Sequence, residues 1–170
     1  MKQRSLFLTA TIAILFLPVF PSNAQQTNIL PSGAKYVGDM KDGKPNGHGT
    51  AGFSDAWKYE GEWKDGRANG RGTFRWADGK VYTGEFVDGH MAGHGTLTFR
   101  DGGNGRKYVG EMKDDDFNGQ GTIIFGDGRQ YVGQFKNGKM NGSGNMTYPD
   151  GKVEEGLWKD DKFIGAEKSP

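Results

Sequence analysis

No cysteine occurs in the 170 residues, which excludes a disulfide framework, thiolate chemistry and zinc–thiolate sites. Apolar residues are scarce too, at 34%, which is little for a compact core. Aromatics nonetheless reach 12%, and a few large buried rings suit a thin, extended β structure. Charge of either sign in excess is also missing. Without the first 24 residues the chain loses Lys2 and Arg4 and no acid, leaving 20 basic against 21 acidic side chains. Such a balance argues against a general nucleic-acid binder and against purely electrostatic attraction to anionic membranes.

Only one long apolar run is present. Lys2 and Arg4 precede the fifteen residues Leu6 to Phe20, and Ser22 and Ala24 occupy the two positions read by a signal peptidase. This is the three-part layout of a secretory signal peptide. The run is shorter than the ~20 residues a spanning helix needs, and Pro18 and Pro21 interrupt its end. The expectation is export with cleavage after Ala24, to the periplasm or the medium, of a soluble single domain.

Glycine, by contrast, is abundant, with 30 residues. Tyr36, Tyr59, Tyr82, Tyr108 and Tyr131 each open a unit such as "YEGEWKDGRANGRGT", and a degraded copy opens at Glu154. Start-to-start spacings are 23, 23, 26, 23 and 23, the longer one containing "RDGGNGRK", residues 100–107. The repeats cover 36–165, after a linker over 25–35 and before a polar tail, 166–170. Each unit reads as a hairpin. Tyr59, Gly61 and Trp63 share one face of the first strand, and Gly70, Gly72, Phe74 and Trp76 one face of the second. Asp65-Gly66 and Asp78-Gly79 supply tight turns. Glycine on the aromatic face lets rings lie over bare backbone, and stacking provides burial that one hairpin lacks. About eleven strands would form a twisted antiparallel ribbon on the order of 50 Å long.

The pattern Y-x-G-x-[W/F/M]-x-x-G-x-x-x-G-x-G, followed by an apolar pair and "DG", resembles the MORN (membrane occupation and recognition nexus) repeat. That resemblance implies an elongated all-β array of stacked hairpins used in scaffolding, self-association or phospholipid contact. Asp115 and Asp161 replace turn glycines and Glu154 replaces the tyrosine, so altered turns and a capping final half unit are expected. Some lipid kinases carry such repeats, but no catalytic-loop signature of a kinase occurs in this chain.

Other chemistry is poorly supported. "GQFKNGKM" and "GDMKDGKP" match part of a phosphate loop, yet lack its Ser or Thr and its helix. His48, His90 and His94 fall in exposed polar slots. "KDDD", residues 113–116, lacks calcium-loop spacing and fills a turn. Glu60, Glu62, Glu85 and Glu111 lie on a polar strand face, where nothing makes a catalytic acid or base of them. "NGS" at Asn141 and "NMT" at Asn145 are glycosylation sequons that Asn and Gly richness produces by chance. No nucleophile–base pair, metal cluster or cofactor loop is found, so an enzyme, a metal and a cofactor are not expected.

The recurring rings carry the functional expectation. Tyr59, Trp63, Trp76, Tyr82, Phe86, Phe99, Tyr108, Phe125, Tyr131, Phe135 and Tyr148 line one side, either as the thin core alone or as a partly open interaction face. The expectation is a non-enzymatic exported scaffold binding another, unidentified protein there. A phospholipid headgroup surface and, lower, a glycan are the alternatives. Self-association is left open by the unpaired end strands.

Overall fold

A computed structural model describes residues 27–53, 55–100 and 105–166. The expected signal peptide and most of the expected tail lie outside these residues. The chain forms one antiparallel sheet in which spatial order equals sequence order. A short strand β1 (Thr27–Ile29) precedes six hairpins. They are β2 (Lys35–Lys41) with β3 (Lys44–Phe53), β4 (Trp57–Lys64) with β5 (Arg67–Trp76), and β6 (Val81–Val87) with β7 (His90–Thr98). Then follow β8 (Lys107–Lys113) with β9 (Asp116–Ile124), β10 (Gln130–Lys136) with β11 (Lys139–Thr147), and β12 (Val153–Lys159) with β13 (Lys162–Gly165). Among the described residues the strands therefore number 13 instead of about eleven. The additions are β1, inside the segment read as linker, and β13, which turns the half unit into a hairpin.

Each hairpin turn is left-handed at both central residues, as at Asp65 (φ 51°) and Gly66 (φ 85°). This conformation matches the twist of the flanking strands. Asp115 (φ 69°) and Asp161 (φ 66°) adopt the same geometry, so the expected change of turn does not occur there. Asp tolerates the left-handed region better than most residues. Each carboxylate also takes up an N–H of the preceding repeat, Met91 N to Asp115 at 2.8 Å and Met140 N to Asp161 at 2.9 Å.

A bulge interrupts every hairpin at one place. Gly61 faces Gly72, but the next pair is Trp63 with Ala68, so residues 69–71 oppose Glu62 alone. The Glu62 carboxylate accepts the Arg71 N–H at 2.9 Å. Asp39, Glu85, Glu111 and Gln134 do the same for His48, His94, Gln120 and Ser143. Of the acids read as lying on a polar strand face, Glu62, Glu85 and Glu111 are thus fasteners of the bulge, whereas Glu60 pairs with Lys58 at 3.0 Å.

The core is a single layer on one face. Tyr36, Tyr59, Tyr82, Tyr108 and Tyr131 are at most 1% exposed. Trp63, Phe86, Met112, Phe135 and Trp158 fill the spaces between them. Edge-to-face contacts link rings across repeats, Tyr36–Trp63–Tyr59–Phe86–Tyr82 at one end and Tyr108–Phe135–Tyr131–Trp158 at the other. Met112 stands where the two ring chains would join. Among the described residues no helix is long and apolar enough to cross a membrane.

Candidate functional site

Every repeat tyrosine lies over two glycines that face each other across its hairpin, Gly61 and Gly72 for Tyr59. The ring thus covers its own strand as well as the next. Burying a phenol requires a partner for its hydroxyl, and the turn toward the bulge provides one. Tyr36, Tyr59, Tyr108 and Tyr131 donate to the carbonyls of Asp39, Glu62, Glu111 and Gln134 at 2.6–3.1 Å. Tyr82 donates to Glu85 O at 3.1 Å or Ala92 O at 3.2 Å. The indoles of Trp63 and Trp158 donate to Gly49 O and Gly144 O, both at 3.0 Å.

Burial, and then the Glu62 carboxylate, push the Tyr59 phenol up to about 12. Burial likewise carries Tyr82 and Tyr131 to about 12 and raises Tyr36 and Tyr108. A phenol raised on folding stabilises the fold fully below its unfolded value of 10, and that stability is lost as pH rises toward about 12. We expect phenolate absorbance and loss of the β circular-dichroism signal to rise together above pH 10. Five phenols ionising near 10 with the sheet intact would contradict this.

The eleven aromatics read from the sequence divide in two. Tyr59, Trp63, Tyr82, Phe86, Tyr108, Tyr131 and Phe135 are buried core. Trp76, Phe99, Phe125 and Tyr148 are half-buried. These four sit at the entry to successive inter-repeat turns, and each carries a cation over its ring. Lys80 lies 4.1 Å from the Trp76 centroid, Arg106 4.0 Å from Phe99, Arg129 4.8 Å from Phe125 and Lys152 5.2 Å from Tyr148. Further bonds fix the last two cations. Arg129 Nε meets Asp127 at 2.7 Å, and Lys152 Nζ meets Glu154 at 2.8 Å. Glu154 also accepts the Tyr148 hydroxyl at 2.7 Å. Its hydrogen bonds from Lys152 and Tyr148 hold its carboxyl below the usual range.

The second repeat breaks this pattern. Trp57 stands where later repeats have Lys80, Arg106, Arg129 and Lys152, and Phe74 where others have Ala51, Leu97, Ile123 and Met146. The result is four rings in contact. Phe53 meets Trp57 edge-on at 5.9 Å, Trp57 stacks on Phe74 at 5.5 Å, and Phe74 meets Trp76 at 4.4 Å. Phe53 is 41% exposed, and the other three are half-buried. Phe53, Trp57 and Trp76 border a cleft of about 460 Å³ that Asp55, Lys58 and Arg75 also line. Sequence reading missed Trp57. Its signal was available two residues before each repeat tyrosine, where one copy alone exchanges a cation for a ring.

The remaining candidates are peripheral. His90 Nδ1 is 2.7 Å from Asp115 on exposed turns, and the Asp115 hydrogen bond raises the imidazole pKa. His48 and His94 are exposed. Among the described residues no three His, Asp or Glu side chains converge as metal ligands. The phosphate-loop-like segments are hairpin turns of β2–β3 and β10–β11, and Asn141 and Asn145 lie on β11.

No curated protein matches the chain. The family model of the MORN repeat matches residues 36–55, 59–81, 82–104, 108–128 and 131–153, and that repeat is a non-catalytic module. Five copies over more than half the sequence, each folded as a hairpin on a buried tyrosine, show that the chain belongs to the MORN-repeat family.

Proposed function

We propose that this repeat scaffold is exported and binds another protein through its aromatic rim, without catalysing a reaction. The observation that carries the reading is the Phe53–Trp57–Phe74–Trp76 cluster, in which four incompletely buried rings touch where the first repeat meets the second. Partly exposed aromatics beside a cleft are favoured anchors for protein partners. Export rests on the leader-like segment before Gln25.

Cross-linking in native cells followed by mass spectrometry identifies the partner. Trp57→Ala and Trp76→Ala are the informative variants, because neither ring belongs to the tyrosine core. A hot spot of about 2 kcal/mol corresponds to roughly 30-fold weaker binding to that partner. Unchanged affinity in both variants would sink the rim as the interface. Phospholipid is the second reading, favoured by the row of cations stacked on rim rings, a mixture suited to a membrane–water boundary. Flotation with liposomes, abolished by the same variants while no protein partner is captured, would favour it.

A further inference from the structure

The four tryptophans fall into two pairs. Trp63 and Trp158 are buried, and their indoles donate to Gly49 O and Gly144 O. Trp57 and Trp76 are half-buried, and neither indole N–H has an acceptor among the described residues. These two face each other across β4 and β5, yet each ring packs on Phe74, at 5.5 and 4.4 Å, and not on the other. Phe53 faces Trp57 from β3. Three rings thus stand in a row across three strands, a span of about 10 Å, and border one cleft.

A cleft that offers apolar rings and two free N–H donors suits an occupant with apolar surface and free acceptors. A helix uses its carbonyls internally. An added strand needs an open sheet edge, and β4 and β5 are hydrogen-bonded on both sides. A polyproline II segment has no internal hydrogen bonds, so its carbonyls stay open. Its proline rings are apolar, and their fixed φ lowers the ordering cost of binding. Aromatic-lined grooves hold such segments by these means.

The pitch fits as well. Phe99, just after β7, is the next rim ring beyond Trp76, two strand spacings or about 10 Å along the sheet. One turn of polyproline II rises about 9 Å, so a segment crossing the strands turns nearly the same edge to both rings. Charge narrows the class. Within the cleft Lys58 is held by Glu60 at 3.0 Å, and Arg75 and Asp55 offset each other. On the rim, Arg129 and Lys152 have acid partners in Asp127 and Glu154. Lys80, over Trp76, has no ion pair among the described residues, and its neighbour Asp78 is turned to the Lys80 backbone N–H at 2.9 Å.

We propose that the Trp57–Trp76 cleft takes a proline-rich segment of its partner in the polyproline II conformation, with an acidic residue meeting Lys80, which rests on the rim being a protein interface. The segment lies across the strands, its prolines on the rings and its carbonyls on the two indoles.

Calorimetric titration of the protein with a synthetic peptide of about six Pro-Pro-Glu units tests this. The peptide should bind with Kd on the order of 100 μM, and an Ala-Ala-Glu peptide of equal length at least about 10-fold more weakly. Trp57→Phe and Trp76→Phe keep a ring and lose the donor, so each should bind about 5-fold more weakly with unchanged circular dichroism. Lys80→Glu should reverse the preference, favouring Pro-Pro-Lys over Pro-Pro-Glu. No binding by the wild type at about 1 mM overturns the proposal, as does equal affinity for the alanine peptide. Unchanged charge preference in Lys80→Glu, or a cross-linked partner without a proline-rich segment, overturns it too. If the peptide fails while Trp57→Ala still loses the cross-linked partner, the rim remains the interface and only the segment is wrong. If partner capture is also indifferent to Trp57→Ala and Trp76→Ala, both readings fall.

Discussion

Tyr82→Ala is expected to cost about 3–5 kcal/mol and to split unfolding of the array into two transitions. Tyr82 is fully buried, stands edge-on to Phe86 at 5.1 Å, and donates its hydroxyl to the carbonyl of Glu85 or Ala92. Truncation opens a cavity over Gly84 and Gly95 and removes that donor. Stability in a linear array is passed between neighbours only, and Tyr82 is the last ring of the N-terminal chain of contacts, beside the interruption at Met112. Tyr82→Phe keeps the ring and should lose only about 1 kcal/mol. Trp57, Trp63 and Trp76 report on the N-terminal part, and Trp158 on the C-terminal part. In urea, tryptophan fluorescence, weighted to the N-terminal part, and the circular dichroism of the whole sheet should fall together in the wild type and separate in Tyr82→Ala. Coincident, unshifted curves in the variant would contradict the account.

Gly72→Ala should be nearly as damaging although it removes nothing. A β-carbon there would lie 2.6 Å from Cε2 and Cζ of Tyr59, closer than packed atoms tolerate. The ring has nowhere to go, being held between Trp63 and Phe86, each 5.0 Å away. Overpacking of this kind costs about 2–3 kcal/mol, read as a lower urea midpoint. Gly89→Asp is the control. Its β-carbon would meet nothing within 4 Å, and the Ala68 N–H stands where Asp115 and Asp161 take up those of Met91 and Met140. The left-handed conformation should cost it no more than about 1 kcal/mol.

The period, the hairpins, the turn dipeptides and the glycine-over-ring principle were legible because each rests on residues that recur at fixed spacing. What escaped was set by departures from strict alternation. The bulge beside Glu62 adds residues to one strand, which brings Ala68, Met91, Phe117, Met140 and Phe163 opposite Trp63, Phe86, Met112, Phe135 and Trp158 and out of simple period two. The same bulge gives Glu62, Glu85 and Glu111 their backbone partners. β1 was hidden because Thr27–Ile29 contains neither repeat glycine nor ring, and it forms by pairing with the edge of β2. Trp57 was overlooked since a search for what repeats passes over what differs, and the candidate site is built from that difference.

Sequential strand order has a mechanical consequence. The first and last strands lie at opposite ends of the sheet, and inter-strand hydrogen bonds run across the strands, along the line joining those ends. Tension applied through the two ends loads those bonds one ladder at a time, as in a zipper, instead of shearing many together. Each 23-residue repeat that opens releases roughly 70 Å of slack, the extended length less the two strand spacings it occupied. A scaffold of this construction yields under load in repeat-sized steps from its ends, and the tyrosines of the remaining repeats stay seated on their glycines.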